Sequence, residues 1–404
     1  MRWSESRPRR GDIPPAHGGT KARETSEAKG LATLVLSIPH RETIGMRTSN
    51  LMVGRWIIGS LAAAVAAMTA AGPADAAPKT EFKVAWSIYV GWMPWGFAAD
   101  NGIVKKWADK YGIKIDVTQF NDYAESINQY TAGAFDALTV TNMDALATPA
   151  AGGVDTTAVI VGDFSNGNDA VILKDKPTLA DIKGQRVNLV QFSVADYLLA
   201  RALDTVKLSE RDLTEVNTSD ADMVAAYKTP DVTAVVTWNP IVSEILTAPG
   251  AKNVFDSSQI PGEIMDLMVA NTATLKDNPG FGKALVGIWY ETTALMTAET
   301  DAGKAARAAM GKASGTDLAG FEGQLASTRL FPKAPDAVAF TRSADVGTTM
   351  DRVRHFLFDK HLLGANAPSA DAVGIELADG KVLGDRGNIK LRFTDAFMVG
   401  AAKP

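Results

Sequence analysis

The chain of 404 residues contains no cysteine. That absence excludes disulfides, thiolate metal sites, a cysteine nucleophile and a thioether-linked lipid anchor. Histidine is scarce: after residue 76 only His355 and His361 remain. Their i, i+6 spacing turns them ~120° apart on a helix, at ~100° per residue, which speaks against a His-based zinc site. The sequence also lacks a GxxxxGK[ST] loop, a strand-borne GxGxxG, a GxSxG elbow and an HExxH pair. Phosphate-loop, dinucleotide-fold, serine-hydrolase and zincin chemistry therefore lack their residues. A formal net charge of -5 argues against a nucleic-acid partner, which requires a basic face. No catalytic residue, metal or cofactor is expected.

Long apolar runs are equally rare, with one near the start. Trp56–Met68 follows a basic flank, Arg47 to Arg55, and precedes the small-residue exit Ala74-Asp75-Ala76. This is the pattern of a cleaved secretory signal peptide over 46–76, and its core is short for a membrane span of ~20 residues. Residues 1–45 are polar and aperiodic, and read as an upstream extension with the start at Met46 or Met52. A soluble, exported, monomeric protein is expected.

What remains is ordinary globular sequence, 46% hydrophobic and 22% charged. Strand and helix patterns alternate from Phe82 to Ala270. A strand over Phe82–Tyr89 leads to a helix over Pro94–Tyr111, opened by proline. Strands follow at Ile113–Phe120, Phe135–Thr141 and Thr156–Gly162, with helices at Tyr123–Ala132 and Met143–Ala151. A second block of the same kind begins at Ala170. It holds strands at Arg186–Phe192, Thr214–Asn217 and Val232–Trp238, a helix at Val194–Val206 capped by Ser193, and another at Asp222–Lys228 capped by Asp220. From Asn278 onward the sequence reads as mainly helical. Such alternation implies an α/β protein with two doubly wound, open parallel sheets. The late helices have no sheet of their own and are expected to pack on the first block. That gives a discontinuous lobe of 77–167 and 271–404, a continuous lobe of 168–270, and a hinge with a cleft between them.

Open α/β sheets bind ligands at their strand C-termini. Basic side chains are missing there: 84–104, 115–173, 187–200, 212–227, 232–251 and 254–275 contain neither lysine nor arginine. Aromatic and acidic residues stand in their place. The candidates are Tyr89, Trp92 and Trp95 after the first strand, and Thr141, Asn142 and Asp144 after the third. In the second block they are Ser193, Asp196 and Trp238, followed by Glu263 and Asp266 at the return crossing. Structural roles compete for several of them: Thr141, Asn142 and Ser193 as helix caps, Asp144 and Asp196 as first-turn acids facing the helix dipole. A small cation stacks on indole faces for ~0.5–2 kcal/mol each when desolvated, and its hydrogen bonds to carboxylates are about twice as strong as neutral ones. A neutral amide such as urea fits nearly as well.

Trp86-Ser87-Ile88-Tyr89-Val90-Gly91-Trp92-Met93-Pro94, the strand Phe135–Thr141, Ser193–Leu199 and Val235–Pro240 occur in an order that resembles the nitrate/sulfonate/taurine-type substrate-binding proteins of ABC importers. The first of these segments is similar to the branch linked to urea carboxylase. The resemblance covers about 82–300. It implies a type II periplasmic binding fold, a small-molecule ligand held by the first loop, the helix start at Ser193 and the Trp238 segment, and an inner-membrane ABC permease as partner. The missing basic residues depart from the arginine or lysine clamp common for nitrate or sulfonate, which helix N-termini alone can also hold, and favour urea or guanidinium. Other readings stay open at this point: a binding protein for nitrate, sulfonate or taurine, a sensory binding protein, and an enzyme resembling thiamine-precursor synthases, which share the fold.

Overall fold

The computed structural model describes residues 79–364 and 366–401. The expected extension and signal peptide, 1–45 and 46–76, lie outside them. Within this range the chain forms two sheets, of nine and five strands.

The first sheet starts with β1 (Glu81–Ser87), whose side chains alternate exposed and buried before the strand sinks fully into the core. The helix that follows is not continuous. Proline opens α1 (Met93–Asp100), and Gly102 takes a left-handed φ of 74° before α2 (Ile103–Lys110). A left-handed residue ends a helix, so the single helix expected over Pro94–Tyr111 is two. Next come β2 (Lys114–Phe120), α3 (Tyr123–Thr131), β3 (Ala137–Thr141), the short α4 (Asn142–Ala145) and β4 (Thr156–Ser165). The stretch after α4 is a π-type turn over Leu146–Ala150, and it contains Pro149.

The chain then crosses to the second sheet: β5 (Asp169–Lys174), β6 (Arg186–Leu189), α5 (Val194–Thr205), β7 (Thr214–Asn217), α6 (Asp220–Tyr227), β8 (Ala234–Trp238), α7 (Ile241–Ile245) and β9 (Ala251–Asp256). Ser219, one residue before the expected Asp220, caps α6. The strand order is β7-β6-β8-β5-β9. β6 runs parallel to β7 and β8, whereas β5 is antiparallel to β8 and β9.

A second crossing returns the chain to the first sheet through β10 (Met265–Asn271). Its order is β13-β12-β14-β4-β10-β3-β1-β2, with β11 also paired to β4. β10 runs antiparallel to β3 and β4, because the chain enters it from the other lobe. Three expectations are corrected here. Both sheets are mixed rather than parallel. The return strand belongs to the first lobe although 168–270 was expected as the second. The late segment adds strands as well as helices: β11 (Thr328–Leu330), β12 (Gly374–Glu376), β13 (Val382–Leu383) and β14 (Ile389–Phe393) all join the first sheet. No helix among the described residues is long and apolar enough to cross a membrane.

Candidate functional site

β3, β10 and β4 lie side by side, and their ends carry one row of neighbouring residues: Thr141 pairs with Asp266, and Asp266 with Asp163. Directly opposed residues of antiparallel strands share a face. In the second sheet Asp169, the first residue of β5, pairs with Trp238, the last of β8. These two rows meet around a cavity of about 20 Å³ lined by Tyr89, Trp92, Tyr123, Thr141, Asp169, Val194, Trp238, Ile264 and Asp266. Among the described residues lining it there is no lysine, arginine or histidine. A space of this size holds about one water.

The rings form a continuous chain across the cavity. Tyr89 meets Trp92 edge-on at 5.1 Å between centroids, Trp92 meets Tyr123 at 5.6 Å, and Tyr123 meets Trp238 edge-on at 5.6 Å. The first three rings come from the first lobe and the last from the second. The lobes are therefore in contact, and further bonds join them. Tyr123 Oη donates to Asp144 Oδ2 at 2.7 Å, Thr141 Oγ1 donates to the same oxygen at 2.9 Å, and so does the backbone N of Val194 on α5 at 3.3 Å. The backbone N of Tyr123, at the start of α3, donates to the Asp220 carboxylate of α6 at 3.3 Å.

The acids of the site are buried, and no lysine, arginine or histidine is among the described residues lining the cavity. Burial pushes Asp163 and Asp169 up to about 7 and Asp144 up to about 6, against partial relief from hydrogen bonds. Burial likewise drives Asp266 well above the ordinary carboxylate range, and the neighbouring Asp163 adds to it. Asp144 Oδ1, Asp163 Oδ2, Asp266 Oδ2 and Trp92 Nε1 are buried without a hydrogen-bond partner. Unmet polar atoms in a native interior are rare, and they concentrate here. Asp163 is pressed by the loop after β1: a Cβ on Gly91 would stand 2.7 Å from Asp163 Oδ2 and 2.6 Å from the Tyr89 ring. Only glycine fits that approach.

Of the residues expected from sequence, Tyr89, Trp92, Thr141, Trp238 and Asp266 line the cavity, and Asp144 lies directly behind Thr141. Ser193 caps α5, accepting from Ala195 N at 3.2 Å, and so sets the start of the helix that presents Val194. The remaining four are elsewhere. Trp95 is buried in the first lobe, stacked on Trp289 at 6.0 Å. Asn142 is a structural clamp, donating to the Glu263 carbonyl at 3.2 Å and accepting from Met265 N at 2.9 Å. Glu263 is held by Arg201 at 2.8 Å, by Arg352 and by Tyr197 Oη at 2.6 Å. Its charge is neutralised, and these bonds draw its pKa below the ordinary value although burial opposes them. Asp196 accepts from the backbone N of Phe192, a residue with a left-handed φ of 65°, and stabilises that turn. Tyr123, Asp163 and Asp169 were absent from the expected set. Asp163 and Tyr123 stand at the tip of β4 and just beyond the end of β2, a signal that was available; Asp169 opens its strand and offered none.

The architecture defined by these sheets and crossings is that of the periplasmic binding proteins, of type II. A family profile described as NMT1/THI5 like matches residues 102–302. Among solved structures, the alkanesulfonate-binding protein SsuA from Xanthomonas axonopodis pv. citri, bound to MOPS, is similar with a TM-score of 0.59 and 18% identity, covering 72% of this chain and 96% of that one. The aliphatic sulphonate-binding SsuA from Escherichia coli is similar at 0.57 and 18%, covering 71% and 94%. A Candida albicans protein described as having the generic periplasmic binding protein fold is similar at 0.53 and 12%, covering 72% and 92%. No curated protein matches the chain.

Proposed function

We propose that this chain is the periplasmic substrate-binding component of an ABC importer, and that its ligand is a small nitrogen compound of the guanidinium or urea class. The observation that carries the reading is the cavity itself: carboxyls of Asp169 and Asp266, backed by Asp163, face four aromatic rings with no cationic side chain among the lining residues. N–H donors on a planar guest satisfy carboxylates, and its faces lie against rings. An anion needs donors where these carboxylates stand, from basic side chains or from a helix N-terminus. A helix N-terminus is the usual basic-free anion site. Here Val194 N of α5 is occupied by Asp144, and Tyr123 N of α3 by Asp220. The chain's own carboxylates hold the places a sulfonate or nitrate would take. The lining residues supply no histidine, lysine or other activated nucleophile, which supports binding without chemistry. Ligand contacting both lobes stabilises their closed arrangement, and the closed form is what a membrane permease recognises.

Titration followed by tryptophan fluorescence tests this reading, since Trp92 and Trp238 line the site. Guanidinium or urea, at concentrations far below denaturing ones, is expected to change the emission saturably, and nitrate and taurine are expected to leave it unchanged. Saturable binding of an anion alone overturns the ligand assignment.

A further inference from the structure

Two buried acids of the site are direct neighbours across a strand pair. Asp163 and Asp266 are directly opposed across β4 and β10, 0% and 4% exposed. Their carboxyls approach closely enough to hydrogen-bond once one of them carries a proton. Other groups around them do nothing to neutralise the pair. Tyr89 Oη, from the loop after β1, donates to Asp163 Oδ1 only at a long 3.4 Å. From β5 comes another acid, Asp169, and from α4 comes Asp144, already shared among three donors. β3 brings Thr141. β11, on the other side of β4, brings Arg329 opposite Phe164, and that side chain is exposed. The second oxygens of both aspartates, and Trp92 Nε1 on the cavity wall, have no partner.

Resting on the reading of the ligand given above, we infer that the Asp163–Asp266 pair holds one proton in the ligand-free protein and releases it when a cation enters, so that binding exchanges a proton for a guanidinium-type ion. Like-charged carboxyls sharing a site ionise in two steps that belong to the pair, with one proton retained to high pH. Burial and the mutual repulsion both favour that retained proton. A cation lying against the pair makes the second ionisation favourable, and the proton leaves a carboxyl oxygen for solvent. One positive charge enters and one departs, so the net charge of the buried site stays constant. A neutral guest such as urea brings no charge to replace the proton and binds without releasing it.

The test is calorimetric titration of the full chain with guanidinium chloride, at matched ionic strength, in two buffers of different ionisation enthalpy, repeated from about pH 5 to about pH 8. The expected result is release of about one proton, with affinity rising about tenfold per pH unit up to the pair's second ionisation and levelling above it. In Asp266→Asn, which breaks the pair, the release and the pH dependence are both reduced. Guanidinium binding with no proton released, or undiminished release in Asp266→Asn, overturns the inference and leaves the ligand class standing. Binding of urea but not guanidinium also overturns it while leaving the broader reading. Binding of neither overturns both.

Discussion

Asp163 and Asp266 oppose each other on neighbouring antiparallel strands of the first sheet, both buried, with no cationic side chain among the described residues lining the adjoining cavity. A folded protein normally avoids this arrangement, because a like pair directly opposed is destabilising and each ion has lost its water. Its presence at a ring-lined cavity between two lobes is the feature from which the expectations below follow.

Stability should depend on pH with an unusual sign. The raised values of Asp144, Asp163 and Asp169 mean that the folded state holds protons which the unfolded chain has already lost. Stability conferred by such groups is present below the unfolded carboxylate value, ~4, and is lost as pH rises through the folded values. The ligand-free protein is therefore expected to lose at least ~1 kcal/mol per pH unit between about pH 4 and about pH 7. Denaturant unfolding across that range, with and without guanidinium restricted to a binding concentration, checks it. Stability rising with pH over the same interval would contradict the burial of uncompensated acids.

The Asp144 carboxylate accepts from Tyr123 and Thr141 of its own lobe and joins the other lobe through Val194 N. Asp144→Ala strands these donors, two of them on the first lobe and one on the second. The expected cost is about 1–3 kcal/mol in stability, each unsatisfied buried donor being expensive, and ligand affinity falls because closure is weakened. Asp144→Asn should restore part of both. Urea unfolding curves and calorimetric titration read the two effects separately, and an affinity unchanged in Asp144→Ala would dismiss the latch.

Trp238→Leu keeps an apolar wall and removes the π-face. Guanidinium affinity is expected to fall about 2–30-fold, the equivalent of ~0.5–2 kcal/mol of cation–π attraction, with a smaller change for urea. Equal losses for both ligands would mean that Trp238 contributes packing alone.

Gly91→Ala tests the tight loop. The added methyl collides with the Asp163 carboxylate and the Tyr89 ring. Overpacking of this kind costs about 1–3 kcal/mol, and moving Asp163 should weaken ligand binding in step. A variant with native melting and native affinity would show that the approach is not constrained.

The sequence is most informative where function lies close to a strand end. Tyr89 and Trp92 follow, and Thr141 and Trp238 end, strands whose apolar patterns are plain, and the lack of lysine and arginine around them is visible without coordinates. The long-range pairings were not legible. Nothing near Asp266 announces that its strand returns antiparallel beside β4 and sets it against Asp163, because register is fixed by the packed faces of both sheets. Glu263 looks like a free acid in its own segment, while its arginines come from α5 and from Arg352, far along the chain. The strands β12 and β13 have three and two residues, too few for alternation to declare itself. Helices α1 and α2 were merged because one glycine, Gly102, carries the whole signal for their separation.

The central claim is that the cleft receives positive or uncharged nitrogen compounds and refuses anions. Calorimetric titration of one preparation with guanidinium, urea, nitrate and taurine, at about pH 8, tests it most directly. The account predicts saturable heats with guanidinium, weaker ones with urea, and none with nitrate or taurine. Tight binding of taurine or nitrate, with guanidinium silent, would contradict it.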